Sequence, residues 1–296
     1  KNPGRTETSR CVEKMKIAVR LIAVWSVLAG LIHTSSLIAA EQSIERFIVM
    51  ASTTSTVNSG LFDYLLPKFS NKFKMQIRVV GVGTGQALRI ARRGDADVLF
   101  VHHKESELAF VRDGFGVKRL NVMYNDFIIV GPQVDPAKIK KTKTAAAAYQ
   151  AIAQSRAVFV SRGDDSGTHK KSLAIWQSAI NTKPKSAIWY RESGAGMGAT
   201  LNIASSMEAY TLTDRATWEN FNNKTTLKIL FENDPLLQNQ YGIIKVNPAL
   251  HKHVKSQEAE IFIKWVLSAE GQATINTYRL NGKQVFFANA PGKKMN

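Results

Sequence analysis

Cysteine is almost missing from this sequence: among 296 residues only Cys11 carries a thiol. It falls in a segment that reads as removed before the protein works, so the remainder has no thiolate for catalysis, metal binding or a disulfide. Long apolar runs are missing too. The stretch from Leu21 to Leu31 is short and broken by Ser26, whereas a bilayer-spanning helix takes roughly 20 apolar residues. Met15 reads as the start, Lys16 and Arg20 as a positive flank, and Ile38-Ala39-Ala40 as a small-residue cleavage site before a mature start near Glu41. These are the parts of an export signal. Residues 1–40 are therefore set aside as upstream sequence plus signal peptide, and the mature chain is expected in the periplasm.

Signatures of catalysis are absent as well. No Gly-x-Ser-x-Gly elbow frames Ser166, and one serine near His169 does not make a nucleophile and base. Gln86 stands where a dinucleotide fingerprint beginning at Gly81 requires its third glycine, and no Gly-Lys-Ser/Thr phosphate loop occurs. His102 and His103 are adjacent, so on a strand they face opposite sides and cannot share a metal. The expectation is a protein with no catalytic residues, no cofactor and no direct protein-metal ligands.

Acidic side chains are scarce, 23 against 40 basic, for a formal charge of +17. The first 40 residues hold six basic and two acidic side chains, so four of those charges leave with them and +13 remains. Anionic partners are favoured. The densest basic cluster, Lys138, Lys140, Lys141 and Lys143, has no aromatic residue within it to stack bases. It reads as a solvated face, and nucleic acid is not expected as a partner.

What is present is an alternation of strand-like runs and amphipathic helices, the pattern of α/β units around largely parallel sheets. Phe47 to Ala51, Met75 to Val80 and Val98 to Val101 read as strands, and Leu61, Leu65, Phe69 and Phe73 mark one helix face. A second region holds helices near Thr144 to Gln154 and Thr168 to Ile180, with strands at Ala157 to Ser161 and Ile188 to Tyr190. Two extended runs, Val122 to Val130 and Tyr241 to Val246, read as crossings between regions. The division expected is 41–130 with 241–296 as one lobe, closed by a last helix bearing Phe262, Trp265 and Val266, and 131–240 as the other. A ligand cleft would lie between them.

Four glycine- or hydroxyl-rich turns sit where a strand ends and a helix begins: Ser52 to Thr56, Gly81 to Gly85, Asp164 to Thr168, and Gly194 to Gly198. Free backbone N–H groups and the helix dipole meet an anion at such positions. Two fall in each expected lobe, as a cleft-closing binder requires. Helix termini supply only a few kcal/mol together, at about 0.3–2 kcal/mol each, while micromolar binding needs about 8 kcal/mol. A charged donor should join them. Arg162 is the first candidate because arginine offers a fork suited to a tetrahedral oxyanion, and Arg191 is the second.

The sequence resembles the substrate-binding proteins of tungstate ABC transporters, within the type II periplasmic binding-protein fold. The resemblance rests on Ala51-Ser52-Thr53-Thr54-Ser55-Thr56, Gly83-Thr84-Gly85, Val122 to Phe127, Arg162 to His169, Gly196-Met197-Gly198, Tyr210 to Arg215 and Ser268 to Gln272. It implies a two-lobed α/β fold, each lobe a mixed, mostly parallel sheet flanked by helices. It further implies that Thr53, Thr54, Ser55, Thr84, Gly85, Arg162, Ser166, Gly167 and Thr168 hold tungstate or molybdate, with Arg191, Gly196 and Met197 of lower rank. Ala195 stands where relatives carry a larger polar residue, which limits that turn to backbone contacts. The implied protein acts as a monomer and meets the membrane only through an ABC permease. Phosphate is the alternative ligand. Hydrogen phosphate retains a proton and wants an acceptor such as Asp164 or Asp165 in the cleft, whereas both aspartates are expected to cap the helix near Thr168.

Overall fold

The computed structural model describes residues 46–184 and 187–291. The proposed start, signal and cleavage site lie outside them. Among the described residues no helix is long and apolar enough to cross a membrane.

The elements run β1 (Phe47–Thr53), α1 (Thr54–Asn58), α2 (Leu61–Phe73), β2 (Gln76–Val82), α3 (Thr84–Arg92), β3 (Val98–Val101), α4 (Lys104–Arg112) and β4 (Gly116–Pro132). They continue with α5 (Ala145–Ser155), β5 (Phe159–Ser161), α6 (Gly167–Ile180), β6 (Tyr190–Glu192), α7 (Met197–Ser206), β7 (Thr211–Asp214) and α8 (Arg215–Asn220). β8 (Leu227–Phe231), β9 (Gln238–Val246), α9 (Ser256–Val266), α10 (Ala269–Thr277) and β10 (Phe287–Ala288) complete the chain. This is the mixed α/β class expected, and most elements fall within a few residues of their expected places. The strand expected at Ile188 to Tyr190 lies instead at Tyr190–Glu192. Ile188 is 82% exposed in a turn closed by Tyr190 N donating to Ala187 O at 3.0 Å, so its apolar side chain marks no buried strand.

The sheet order is β10-β4-β9-β3-β1-β2, with β7 and β8 joined to the far part of β4. β1 pairs parallel with β2 and β3, and β5 with β6. The pairings of β4 and β9 are antiparallel, a larger share than the strand and helix alternation suggests. The physical reason is connectivity: chain that crosses out along β4 and returns along β9 must run the opposite way beside it. From Gly116 to Asp126, β4 pairs with β9, and from Phe127 onward it pairs with β7 and β8.

Packing changes at the same place. Val122 and Met123 join a core with Leu61, Leu65 and Phe69 of α2 and Phe262 and Trp265 of α9, where Phe69 meets the Phe262 ring edge-on at 5.1 Å. Phe127 and Ile129 join another core with Tyr149, Phe159 and Trp176. The apolar four-residue steps of α2 bury Leu61, Leu65 and Phe69 completely, and burial of each such side chain is worth about 1.5–3 kcal/mol. Lys138, Lys140, Lys141 and Lys143 are exposed, as a solvated face should be.

A buried ion pair ties α4 to these strands. Arg119 Nε donates to Glu107 Oε2 at 2.7 Å with the two side chains 7% and 0% exposed. The other carboxylate oxygen accepts from His103 N at 2.6 Å. Gly242 of β9 leaves the room, since a Cβ there would lie 2.0 Å from Glu107 Oε2. Burial pushes the Glu107 carboxyl up to about 7, against the opposing pull of Arg119. Removing one partner strands the other charge, so Arg119→Met should lower stability in urea denaturation by about 3–5 kcal/mol. Glu107→Leu with Arg119→Met should recover most of it, and equal loss in the single and double variants would show that the pair is not what holds α4.

Candidate functional site

All four glycine- and hydroxyl-rich turns stand at strand ends and open helices: β1 to α1, β2 to α3, β5 to α6 and β6 to α7. Their first-turn amides have no carbonyl within the helix to bond. Three of the turns converge on one cavity of about 20 Å³, on a scale where one water needs about 10–15 Å³. The fourth reaches its wall through Met197.

Of the residues singled out in the sequence, Thr53, Thr54, Ser55, Thr84, Arg162, Ser166, Gly167, Thr168 and Met197 line this cavity. Gly85, Arg191 and Gly196 are not among its lining residues. Arg191 is exposed on β6 and Gly196 is the N-cap of α7. Gly85 serves close approach instead: its N donates to Asp165 O at 3.1 Å. The lining also includes Val82 and Gly83 of the Gly81 to Gly85 turn, and Asn58, His102 and Thr217, the last three of which sequence reasoning did not select. In the sequence His102 reads only as half of a rejected metal pair. The His103 ring caps α4 by accepting from Ser106 N, whereas His102 directly follows β3, as the anion-type turns follow their strands. That strand-end position was the available signal.

On the β1 side, Thr53 is the N-cap of α1, with Oγ1 accepting from Thr56 N at 3.4 Å. It lies 2.7 Å from Thr56 Oγ1 and 3.2 Å from both Ser55 Oγ and His102 Nε2. Burial pushes the His102 imidazolium down to about 4, although a hydrogen bond with Asn239 opposes this.

On the β5 side, Arg162 is 8% exposed. Its Nε donates to Ala195 O at 2.6 Å and its Nη2 pairs with Asp164. Asp164 also accepts from Ser166 N and Ser166 Oγ. Neither aspartate caps α6, contrary to expectation. Ser166 does so, accepting from His169 N at 3.1 Å, because Asp164 is already turned back onto Arg162 and Asp165 faces outward. Asp165 pairs with Arg89 at 3.1 Å and Lys170 at 2.9 Å. Burial raises its carboxyl, but hydrogen bonds from Lys170 and Arg89 outweigh that and hold it below the usual range.

The two sides touch. Gly167 N donates to Thr84 Oγ1 at 3.0 Å, joining the first turn of α6 to the first turn of α3. No carboxylate lines the cavity; its polar wall is hydroxyls, amides, one imidazole and one guanidinium. Such a wall can surround a small anion with donors. Among the described residues, no group of three or more histidine, cysteine or acidic side chains could hold a metal ion.

Residues 38–270 match the family model described as a PBP superfamily domain. The tungstate-binding protein TupA of Peptoclostridium acidaminophilum is 44% identical over 243 residues, 81% of this chain and 83% of that protein. The tungstate-binding protein TupA from Desulfovibrio alaskensis G20 has a similar structure, with TM-score 0.75 and 44% identity over 83% of this chain and 100% of that one. The tungstate ABC transporter structure from Geobacter sulfurreducens gives TM-score 0.73 and 49% identity over 79% of this chain and 99% of that one.

The approach at Gly85 generates a test. A Cβ there would lie 1.4 Å from Asp165 Oδ2, so Gly85→Ala must push the half-exposed Asp165 carboxylate aside and away from Arg89 and Lys170. Urea denaturation should report a loss of about 1 kcal/mol or less for this variant, as for an exposed ion pair, and in the presence of Asp165→Ala the change at Gly85 should be nearly neutral. A loss that persists in the double variant would mean that Gly85 is required for its backbone rather than for the approach of Asp165.

Proposed function

The chain belongs to the PBP superfamily, in the family of the tungstate-binding TupA proteins, and on that premise we propose that it is the substrate-binding component of an ABC importer, capturing tungstate and delivering it to a membrane permease. The observation that carries this reading is a small cavity walled by donors without a carboxylate. Tungstate is a fully deprotonated tetrahedral dianion and asks only for donors. Hydrogen phosphate would need an acceptor; neither Asp164 nor Asp165 lines the cavity, Asp164 being taken up by Arg162 and Ser166 and Asp165 by Arg89 and Lys170. Molybdate has the same charge and nearly the same size and is bound as well.

In this reading Thr53, Thr54, Ser55, Thr84, Arg162, Gly167 and Thr168 surround the oxyanion, and Ser166 and Gly85 shape the turns that carry them. Residues 41–130 with 241–296 form one lobe and 131–240 the other, with β4 and β9 as the hinge strands. Closure brings Thr84 against Gly167 and presents a compact surface to the permease. The mature protein works in the periplasm as a monomer after loss of residues 1–40, without cofactor, turnover or nucleic-acid partner.

Titration calorimetry with tungstate, molybdate, sulfate and phosphate tests this. Tungstate should bind at micromolar strength or better, about 8 kcal/mol. Tight phosphate or sulfate binding with none for tungstate would overturn the ligand and spare the fold. Arg162→Gln removes a charge-assisted donor worth about 1.5–3 kcal/mol and should weaken binding by more than about tenfold; unchanged affinity would take Arg162 out of the site.

A further inference from the structure

Resting on the oxyanion reading of the cavity, we propose that His102 takes up a proton when the ligand enters, changing from hydrogen-bond acceptor to donor and turning the Thr53 and Ser55 hydroxyls toward the anion. Its geometry fixes the starting state. His102 lines the cavity and is 6% exposed. Its Nδ1 lies 3.0 Å from Asn239 Oδ1, and Asn239 Nδ2 in turn donates to Asn125 Oδ1 at 2.6 Å. An amide oxygen only accepts, so Nδ1 carries the hydrogen and the neutral ring has its lone pair at Nε2. That lone pair faces Thr53 Oγ1 at 3.2 Å and Ser55 Oγ at 3.3 Å. One of these hydroxyls must donate to the ring and is lost as a donor to a ligand.

The charges around the cavity give the reason for a change. Arg162, the cation in its wall, is paired with Asp164 and also donates to Ala195 O. Asp214 is buried, caps α8 and receives the Thr217 hydroxyl at 2.6 Å. Asp165 answers Arg89 and Lys170. Tyr241, whose ring lies 4.8 Å from that of His102 and tilted 34° to it, has its phenol raised by burial. His103, also lowered by burial, holds Ser106 and Glu105, and His169 Nδ1 lies 3.0 Å from Ser161 Oγ and accepts from Gly163 N. Asp164 and Asp165 are thus matched by cations, Asp214 is answered only by Thr217 and has its carboxyl raised by burial, and a dianion adds two uncompensated negative charges. Held one hydroxyl away from the ring in a buried site, these two charges favour the imidazolium against the cost of its burial. Protonated Nε2 then donates to the Thr53 and Ser55 oxygens, so that neither hydroxyl hydrogen is spent on the ring and both can face the oxyanion. His102 acts through these hydroxyls as a positioning residue.

The sign follows from linkage. Before binding the ring is neutral at pH 7, because its pKa is pushed down to about 4; in the complex it is charged. Binding therefore consumes one proton, and affinity should fall about tenfold for each pH unit of rise from pH 7 to 8. Calorimetry with tungstate at pH 7, in two buffers of different ionisation enthalpy, should read close to one proton taken up. His102→Gln keeps an amide donor without titrating, so tungstate binding should weaken by only about three- to tenfold while proton uptake and the pH slope vanish. Equal enthalpies in both buffers with a flat pH profile would overturn the proposal, as would a slope that persists in His102→Gln, which would assign the proton to another group. Failure of the unmodified protein to bind tungstate, molybdate, sulfate or phosphate is a separate result: it would remove the oxyanion reading itself.

Discussion

Thr84 and Gly167 stand 83 positions apart and meet through a single 3.0 Å hydrogen bond, and the cavity exists because they do. Each turn alone is an ordinary helix start, with a hydroxyl or glycine at the position where amides lack carbonyl partners. Brought together, the same amides and hydroxyls enclose a space too small for a nucleotide or sugar phosphate. Everything else arranges that meeting. β4 and β9 carry the chain from one core to the other and back, and the glycine at 85 lets Asp165 come within hydrogen-bond distance of its amide.

Much of this was legible in the sequence because it is local. The four-residue apolar steps of α2 are set by helix geometry, and they bury Leu61, Leu65 and Phe69 as expected. The strand at Val98 to Val101 and the four strand-end turns follow from composition and punctuation in the same way. What was not legible depends on residues far apart in the chain. The antiparallel partnership of β4 with β9 leaves no trace in periodicity. The Glu107 to Arg119 pair looks like two ordinary surface charges until Gly242 is placed beside it. Asp164 has the right position to cap α6, but Arg162 competes for it and Ser166 takes the role. Apart from its place after β3, His102 carries no mark of the site in its sequence, because serine, threonine, glycine and arginine are the usual signs of anion donors and an imidazole is a sign of metal binding.

The net charge of +17 has less to do with the site than its size suggests. Exposed charges fade beyond roughly 8–10 Å at physiological salt, and the exposed Lys138 to Lys143 cluster is a feature of the surface. At the cavity wall the single guanidinium shares its charge with Asp164. Attraction at long range can gather anions of every kind, but it does not choose among them. Choice comes from fixed neutral donors, because each hydroxyl and amide must find an acceptor or remain unpaired at a cost of about 1–3 kcal/mol. A fully deprotonated tetrahedron offers acceptors in every direction and leaves no donor pointing at nothing. A protonated one turns a hydrogen toward a hydrogen somewhere in the wall. On the proposed reading, the pairing of Arg162 with Asp164 would restrain the charge that binds any anion and leave the geometry of the donors to decide which one stays.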